Sequence, residues 1–510
     1  MEKSRASKSI KNAQVALIFY FINLALNFVS RKIFIDYLGT EVLGLNTMSQ
    51  NLLGFLNLAE LGIGVAISYT LYKPLANKDT KTINEIVSVQ GWMYRNIAYV
   101  VIAGACVLMC FFPWIFEKAK LPLWYAYGSF TILLASSLLG YFVNYRQIVL
   151  TADQKEYKIT LNIQGIKILK IIIQIFAIIY LTNGYVYWLI LELLMAIITT
   201  VILERILKKE YPWLKANWKS GKSLRSKYPQ IITKTKQIFF HKIGAFTFTQ
   251  TSPIIIYAYA SLTLVAVYGN YMLVAAGISM LINAIFNGIG AAIGNLIAEE
   301  NQDKTMSVFN ELFSFRFFIV AVICYAYYLL INPFITLWVG KEYLLDHTAL
   351  LLIVVILFID LIRTLVDSFI NAHGMFQDIW ATITEACINI GCSALFGSIW
   401  GLRGILLGVL TSLFFIIFLW KPYFLFKKGL NVSVSCYWKL YSKNLMVMFV
   451  TFYICKILLP HITIPCTNYT NFFLYAGSIT GLFGGILFVG LYCINPYMRK
   501  FIHRLICIYK

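Results

Sequence analysis

Charge is scarce in this sequence. Only 13% of its 510 residues are Asp, Glu, Lys or Arg, against about a quarter in a soluble domain. Acid is scarcer than base, with 22 Asp and Glu against 43 Lys and Arg. The ten cysteines contain no C-x-x-C and the five histidines are scattered, so the usual spacings for zinc or redox chemistry are missing. Of the cysteines only Cys466 falls in an expected outer loop, which argues against a disulfide framework. A phosphate loop is missing too. Gly221-Lys222-Ser223 has Ala216 where the motif requires glycine, and no strand precedes it. Runs of alternating polarity are absent, which excludes a transmembrane barrel. No metal, cofactor or nucleic acid is expected.

What is abundant is apolar. Hydrophobic residues make up 60% of the chain and aromatics 16%. Apolar runs near the length needed to cross a bilayer recur from end to end. Fourteen spans are expected, at 12–35, 43–71, 91–116, 123–145, 159–181, 186–204, 238–258, 264–297, 312–333, 349–372, 379–398, 404–420, 444–460 and 472–494. The fold class is an all-α polytopic membrane protein. The first run is too long for a signal sequence and lacks a small-residue cleavage site, so it reads as an uncleaved span.

The positive charges give the direction. With the N-terminus on the cytoplasmic side, only Lys118, Lys120, Lys341 and Arg403 fall outside. Arg31, Lys32, Lys167, Lys170, Lys242, Arg363 and Lys456 lie within spans, and most of the rest lies inside. That asymmetry places both termini in the cytoplasm. The net charge of +21 then serves topology and contact with anionic lipid heads rather than nucleic acid.

One loop is long. Residues 205–237 carry ten Lys and Arg, with Trp213 and Trp218 among them, and read as a basic linker on the membrane surface. It separates an N-terminal six-helix lobe, 1–204, from a second, 238–422, with two extra helices and a basic tail over 423–510. An internal repeat supports the division. GIGVAI at 62–67 and GIGAAI at 288–293 are offset by 226 residues, and Asn84-Glu85 falls on Asn310-Glu311 at the same offset. The spans that carry them run the same way, so the repeat is parallel, about an axis along the membrane normal. In the last span Gly477, Gly481 and Gly485 form a small face expected to pack closely.

Polar groups in the spans fall into stripes. Asn23, Asn27 and Arg31 share a face of span 1, and Asn46, Gln50, Asn57 and Glu60 share one of span 2. Asn283 and Asn287 continue to Gly290 and Gly294, Glu385 pairs with Asn389, and Asp360, Arg363, Asp367 and Asn371 line one face of span 10. Such groups are costly in lipid and face a partner or a cavity. Two readings stay open. They are ties between helices, or they line a central aqueous cavity whose cations, Arg31, Lys167, Lys170 and Arg363, suit an anionic ligand such as a phosphate. For Lys32 and Lys242 snorkelling to the headgroups is the better reading. Asp360 and Arg363, three apart, are able to neutralise each other.

RKIFIDYLGTEVLGLNTMSQNLLGFLNLAELGIGVAISYTLYKPLANKD, Arg31 to Asp79, resembles the N-terminal signature of bacterial polysaccharide-repeat flippases. These are the Wzx-type O-antigen and capsule exporters of the multidrug/oligosaccharidyl-lipid/polysaccharide exporter superfamily. The likeness is dense over about fifty residues. VYGNYMLV at 267–274 and GNLIAEE at 294–300 look like second-half counterparts, and beyond 380 only the span pattern is similar. The resemblance implies two six-helix lobes around a cavity, with Arg31 as a cavity cation. It implies a lipid-linked oligosaccharide substrate, flipped from the cytoplasmic to the outer leaflet of a bacterial inner membrane by alternating access, and polysaccharide assembly machinery as partner. Relatives often carry an acid in span 7. Here TQTSPIIIY has Ser252 and Pro253 instead, so any ion coupling falls to Glu60, Asp360, Asp367 or Glu385. A multidrug or cation antiporter of the same superfamily is the alternative, and it would want a net acidic cavity. An enzyme, such as a glycosyltransferase or polymerase, would want a sizeable outer loop, and none is expected.

Overall fold

The computed structural model describes residues 5–508 apart from 61, 288–292, 295, 298–300, 376 and 463, and the backbone alone over 5–13, at 16, 17, 59 and 237, over 240–249, and at 284, 285, 287, 505, 507 and 508. Asn287, Lys242 and most of GIGAAI and GNLIAEE therefore lie outside the described residues. Every described element is helical. Among the described residues twelve helices are long and apolar enough to cross a membrane, which makes this a multi-pass membrane protein. Of the other two expected spans, the second is broken in two, and the seventh falls in a helix partly outside the described side chains.

The chain forms two compact units, Met1–Ala266 and Val267–Lys510. The long helices of the first are α1 (Arg5–Leu38), α2 (Thr40–Leu56), α3 (Ile63–Ala76), α4 (Thr80–Cys110), α5 (Leu123–Phe142), α6 (Glu156–Tyr180), α7 (Gly184–Glu210) and α8 (Pro229–Tyr259). The next helix, α9 (Leu262–Asn287), begins before the boundary. Then come α10 (Gln302–Trp338), α11 (His347–Ala372), α12 (Ile379–Trp400), α13 (Leu402–Ser412), α14 (Ser435–Leu458), α15 (Tyr469–Ile494) and α16 (Pro496–Ile508).

Local sequence explains the breaks. Gly39 takes φ +88° between α1 and α2, and Gly62 takes φ +96° before α3, a region glycine reaches without strain. At Gly62 a Cβ would also sit 2.9 Å from the Thr235 carbonyl. Span 2 is thus two helices joined by a tight 3-10 turn over Asn57–Glu60. Helix starts are capped by short polar side chains. The Asp79 carboxylate accepts from the Thr82 amide at 3.0 Å, and Asp346 accepts from Thr348 and Ala349.

Within unit 1, α8 packs on α2 and α3, and α6 packs on α1 and α7. Within unit 2, α12 packs on α13, and α10 on α11 and α15. The α12–α13 contact rests on two glycines four apart. A Cβ on Gly404 would lie 1.9 Å from the Phe396 carbonyl oxygen, and one on Gly408 2.2 Å from the Ser393 nitrogen. The expected small face at Gly477, Gly481 and Gly485 does not pack in this way, since among the described residues no atom of a neighbouring element comes within 4 Å of a Cβ there. Spacing alone does not distinguish a glycine stripe that meets a neighbour from one that faces outward.

Candidate functional site

In unit 1 a polar seam joins α1, α6 and α7. Asn23 is buried. Its Nδ2 donates to the Phe19 carbonyl at 2.7 Å and to Gln164 Oε1 at 3.1 Å, while its Oδ1 is buried with no donor among the described residues. One turn along α6 stands Lys167, half-buried, with no ion pair or hydrogen-bond partner among the described residues. Lys170 follows, and its Nζ meets Glu192 Oε1 at 2.6 Å. Glu192 Oε2 accepts from Gln174, whose amide also donates to the Trp188 carbonyl. Lys170 is thus neutralised within its own bundle. Lys167 has no carboxylate of its own among the described residues.

Arg31 lies eight residues along α1 from Asn23, about 12 Å at helical rise, with Asn27 half-buried between them. Its Nη2 donates to the Ala266 carbonyl at 2.9 Å. The neighbouring Lys32 is about half exposed and pairs with Asp36 one turn on, at 3.3 Å. The two adjacent cations point apart, as neighbours on a helix must.

The stripe on α2 ties helices together. Asn46 Oδ1 accepts from the Tyr185 hydroxyl at 3.0 Å. Asn57 accepts from Tyr141 at 2.8 Å and donates to Ser137 at 3.3 Å. Glu60 accepts from Tyr94 at 3.1 Å. Gln50 is exposed, and Asn283 is half-buried on α9.

Unit 2 holds a tight charge cluster. Arg363 Nε lies 3.6 Å from Asp360 Oδ1 and 3.4 Å from Asp367 Oδ2, and its Nη1 lies 3.6 Å from Glu385 Oε1 on α12. Three of the four candidate coupling carboxylates therefore surround one guanidinium. Distances of this kind mark charge contact without good hydrogen bonding, and Arg363 Nη1 and Glu385 Oε1 are buried with no hydrogen-bond partner among the described residues. Two further groups sharpen the balance. Arg316, only 2% exposed, donates Nε to the Leu361 carbonyl at 2.7 Å and interacts electrostatically with Asp360. Lys421 pairs with the buried Asp378 at 2.8 Å. Arg316 sits near the start of its span, where sequence alone reads a boundary charge. Glu192 carried a readable signal, being a lone acid in an otherwise apolar run.

No family model matches the chain, and neither does any curated protein. Solved structures do. A structure titled as the lipid II flippase MurJ in an inward closed conformation superposes with a TM-score of 0.64 at 14% identity, covering 93% of this chain and 98% of that one. An inward-facing multidrug resistance MATE transporter of the MOP superfamily gives 0.57 at 16% identity, over 78% and 94%. A MOP superfamily transporter from Pyrococcus furiosus gives 0.50 at 14% identity, over 84% and 98%. At such identities the likeness concerns architecture, and the chain has the fold of these membrane transporters.

Proposed function

We propose that this protein flips a lipid-linked oligosaccharide, carried on undecaprenyl pyrophosphate, from the cytoplasmic to the outer leaflet for surface polysaccharide assembly. The carrying observation is Lys167, a half-buried ammonium in a membrane helix with no carboxylate of its own among the described residues. A cation in such a place is costly, and an anion passing by lowers that cost. With Arg31, whose planar fork of donors suits phosphate oxygens, it offsets the cost of drawing pyrophosphate through a low-dielectric layer. Asn23 and Asn27 on α1 are the polar lining, and Lys170, held by Glu192, tunes the local field. A substrate with a lipid tail also wants apolar space. Unit 2 has an apolar cavity of about 490 Å³ whose lining includes Phe358, Phe414, Phe418, Phe449 and Phe452. The MurJ structure, titled as a flippase of lipid II, supports a lipid-linked cargo.

The cluster around Arg363 supplies the energy input in this reading. Asp360, Asp367 and Glu385 exceed the guanidinium they surround, so uptake of a proton or small cation there changes the electrostatics of α11 and α12. In this reading the charge asymmetry puts both termini in the cytoplasm, and the membrane is the bacterial inner membrane that the resemblance of Arg31 to Asp79 implies.

In cells lacking their own flippase, Arg31→Ala and Lys167→Ala abolish or strongly reduce surface polysaccharide while lipid-linked repeat units accumulate inside. Arg31→Lys retains part of the activity. Normal export by both alanine variants defeats the reading. One observation favours a second reading, export of organic cations: the same acidic surplus around Arg363. That reading predicts loss of drug resistance in Glu385→Gln with polysaccharide unaffected.

A further inference from the structure

Asn84-Glu85 and Asn310-Glu311, 226 residues apart, are joined at the same offset by Ser88 and Ser314. The three residues occupy successive turns near the start of α4 and of α10, and the local geometry is the same in both. Ser88 Oγ donates to the Asn84 carbonyl at 2.7 Å, and Ser314 Oγ donates to the Asn310 carbonyl at 2.7 Å. Each serine keeps lone pairs for an incoming donor.

In unit 1 the incoming segment is the basic linker. The Lys215 backbone amide donates to Asn84 Oδ1 at 2.6 Å, and the Asn84 side-chain Nδ2 donates to the Trp213 carbonyl at 3.2 Å. The Asn217 amide donates to Ser88 Oγ at 2.9 Å. Lys227 Nζ and the Tyr228 hydroxyl both reach Glu85 Oε2 at 2.5 Å. The linker backbone lies so close that a Cβ on Gly221 would fall 2.3 Å from the Ser88 carbonyl oxygen.

In unit 2 the incoming segment is the C-terminal helix α16 with the residue before it. The Asn495 side-chain Nδ2 donates to Ser314 Oγ at 2.8 Å, and Arg504 Nη2 donates to Glu311 Oε1 at 3.1 Å. Phe501 stacks on Phe315 with ring centres 4.4 Å apart. The filling is less complete. Asn310 Oδ1 and Glu311 Oε2 are buried and have no donor among the described residues, whereas the matching oxygens of Asn84 and Glu85 each have one or more. The Arg504 side chain is 51% exposed.

We infer that Asn-Glu-x-x-Ser is a duplicated docking cradle for a basic segment of this chain, which holds the linker firmly in unit 1 and the C-terminal helix releasably in unit 2. At both copies of the sequence repeat a segment of the chain is seated on the serine and the glutamate. The linker is therefore a fixed part of unit 1 rather than a loose tether. The C-terminal helix is the movable member, since fewer of its cradle's polar groups are satisfied. This inference does not depend on what the protein carries.

Hydrogen exchange on the full chain in lipid nanodiscs tests it. Glu85→Gln should raise exchange over 211–228 about tenfold or more, the loss expected for a charge-assisted hydrogen bond, and leave 496–508 unchanged. Glu311→Gln should do the reverse. In the native chain, exchange relative to the free peptide should be faster over 496–508 than over 211–228. Glu85→Lys combined with Lys227→Glu should restore linker protection, which separates docking from a general loss of folding. Equal loosening of both segments by either single variant, or no loosening at all, overturns the cradle. Slower native exchange over 496–508 than over 211–228 overturns the releasable helix.

Discussion

In unit 1 the lysines at 167 and 170 share one carboxylate, Glu192. In unit 2 Arg363 faces three, Asp360, Asp367 and Glu385, with Arg316 also acting on Asp360. The repeat preserved the cradle of Asn, Glu and Ser on α4 and α10, but local charge went opposite ways on the membrane helices. A scaffold site that grips its own chain is constrained by backbone geometry, and a charged site in a span is constrained by what passes it. The two therefore diverge independently, and the two units carry opposite local charge on their membrane helices.

Four substitutions press on that contrast. The largest effect is expected from Lys167→Glu, which reverses the surplus in unit 1. Export should fall by about a hundredfold, the upper range for losing a charge-assisted contact, and the assay is surface polysaccharide in a complemented flippase mutant. Next is Arg363→Leu. It leaves the buried Glu385 and the partly exposed Asp360 and Asp367 facing one another and should destabilise unit 2 by about 3 kcal/mol, read as a lower thermal midpoint. Adding Asp367→Asn and Glu385→Gln should recover most of the loss; no recovery would mean that packing, not charge, set the cost. Smaller still is Tyr141→Phe, which removes the donor to Asn57 in the turn after α2 and should cost about 1 kcal/mol. Gln50→Ala, on the same stripe but exposed, should stay within about 0.5 kcal/mol.

The smallest effect is a pH dependence that differs between the cradles. The hydrogen bond to Glu85 holds the Lys227 ammonium above its ordinary value of 10.5. Burial first, and then the bond to Glu85, likewise raise the Tyr228 hydroxyl. A base raised by docking contributes a grip that is fully present below its free pKa and is lost as pH climbs through the docked one. Linker protection, corrected for intrinsic exchange, should therefore hold from neutral pH to the free lysine value and fall above it. A guanidinium stays charged throughout, so the bond from Arg504 to Glu311 should not follow that fall.

Much of this was legible beforehand. The helical class, the apolar spans, the basic linker and the offset of 226 residues can all be read from the sequence. So can the stripe of Asp360, Arg363 and Asp367, because i, i+3 and i+7 share a helix face whatever the fold. Less legible were contacts between helices. Span 2 reads as continuous, since nothing in Asn57–Glu60 announces a turn before Gly62. Glycines at 477, 481 and 485 have the spacing of a packing face, yet Gly404 and Gly408 do the close packing.

The sequence by itself determined which segments enter the membrane and which residues share a helix face, because both follow from local composition and the helical period. Only the tertiary structure decided that Lys170 is neutralised while Lys167 is not, that Asn57 ties α2 to α5, and that the linker and the C-terminal helix each find an Asn-Glu-x-x-Ser cradle. Those outcomes depend on side chains from different helices meeting within about 3 Å, the reach of a hydrogen bond, and no period along one helix specifies what its neighbour presents.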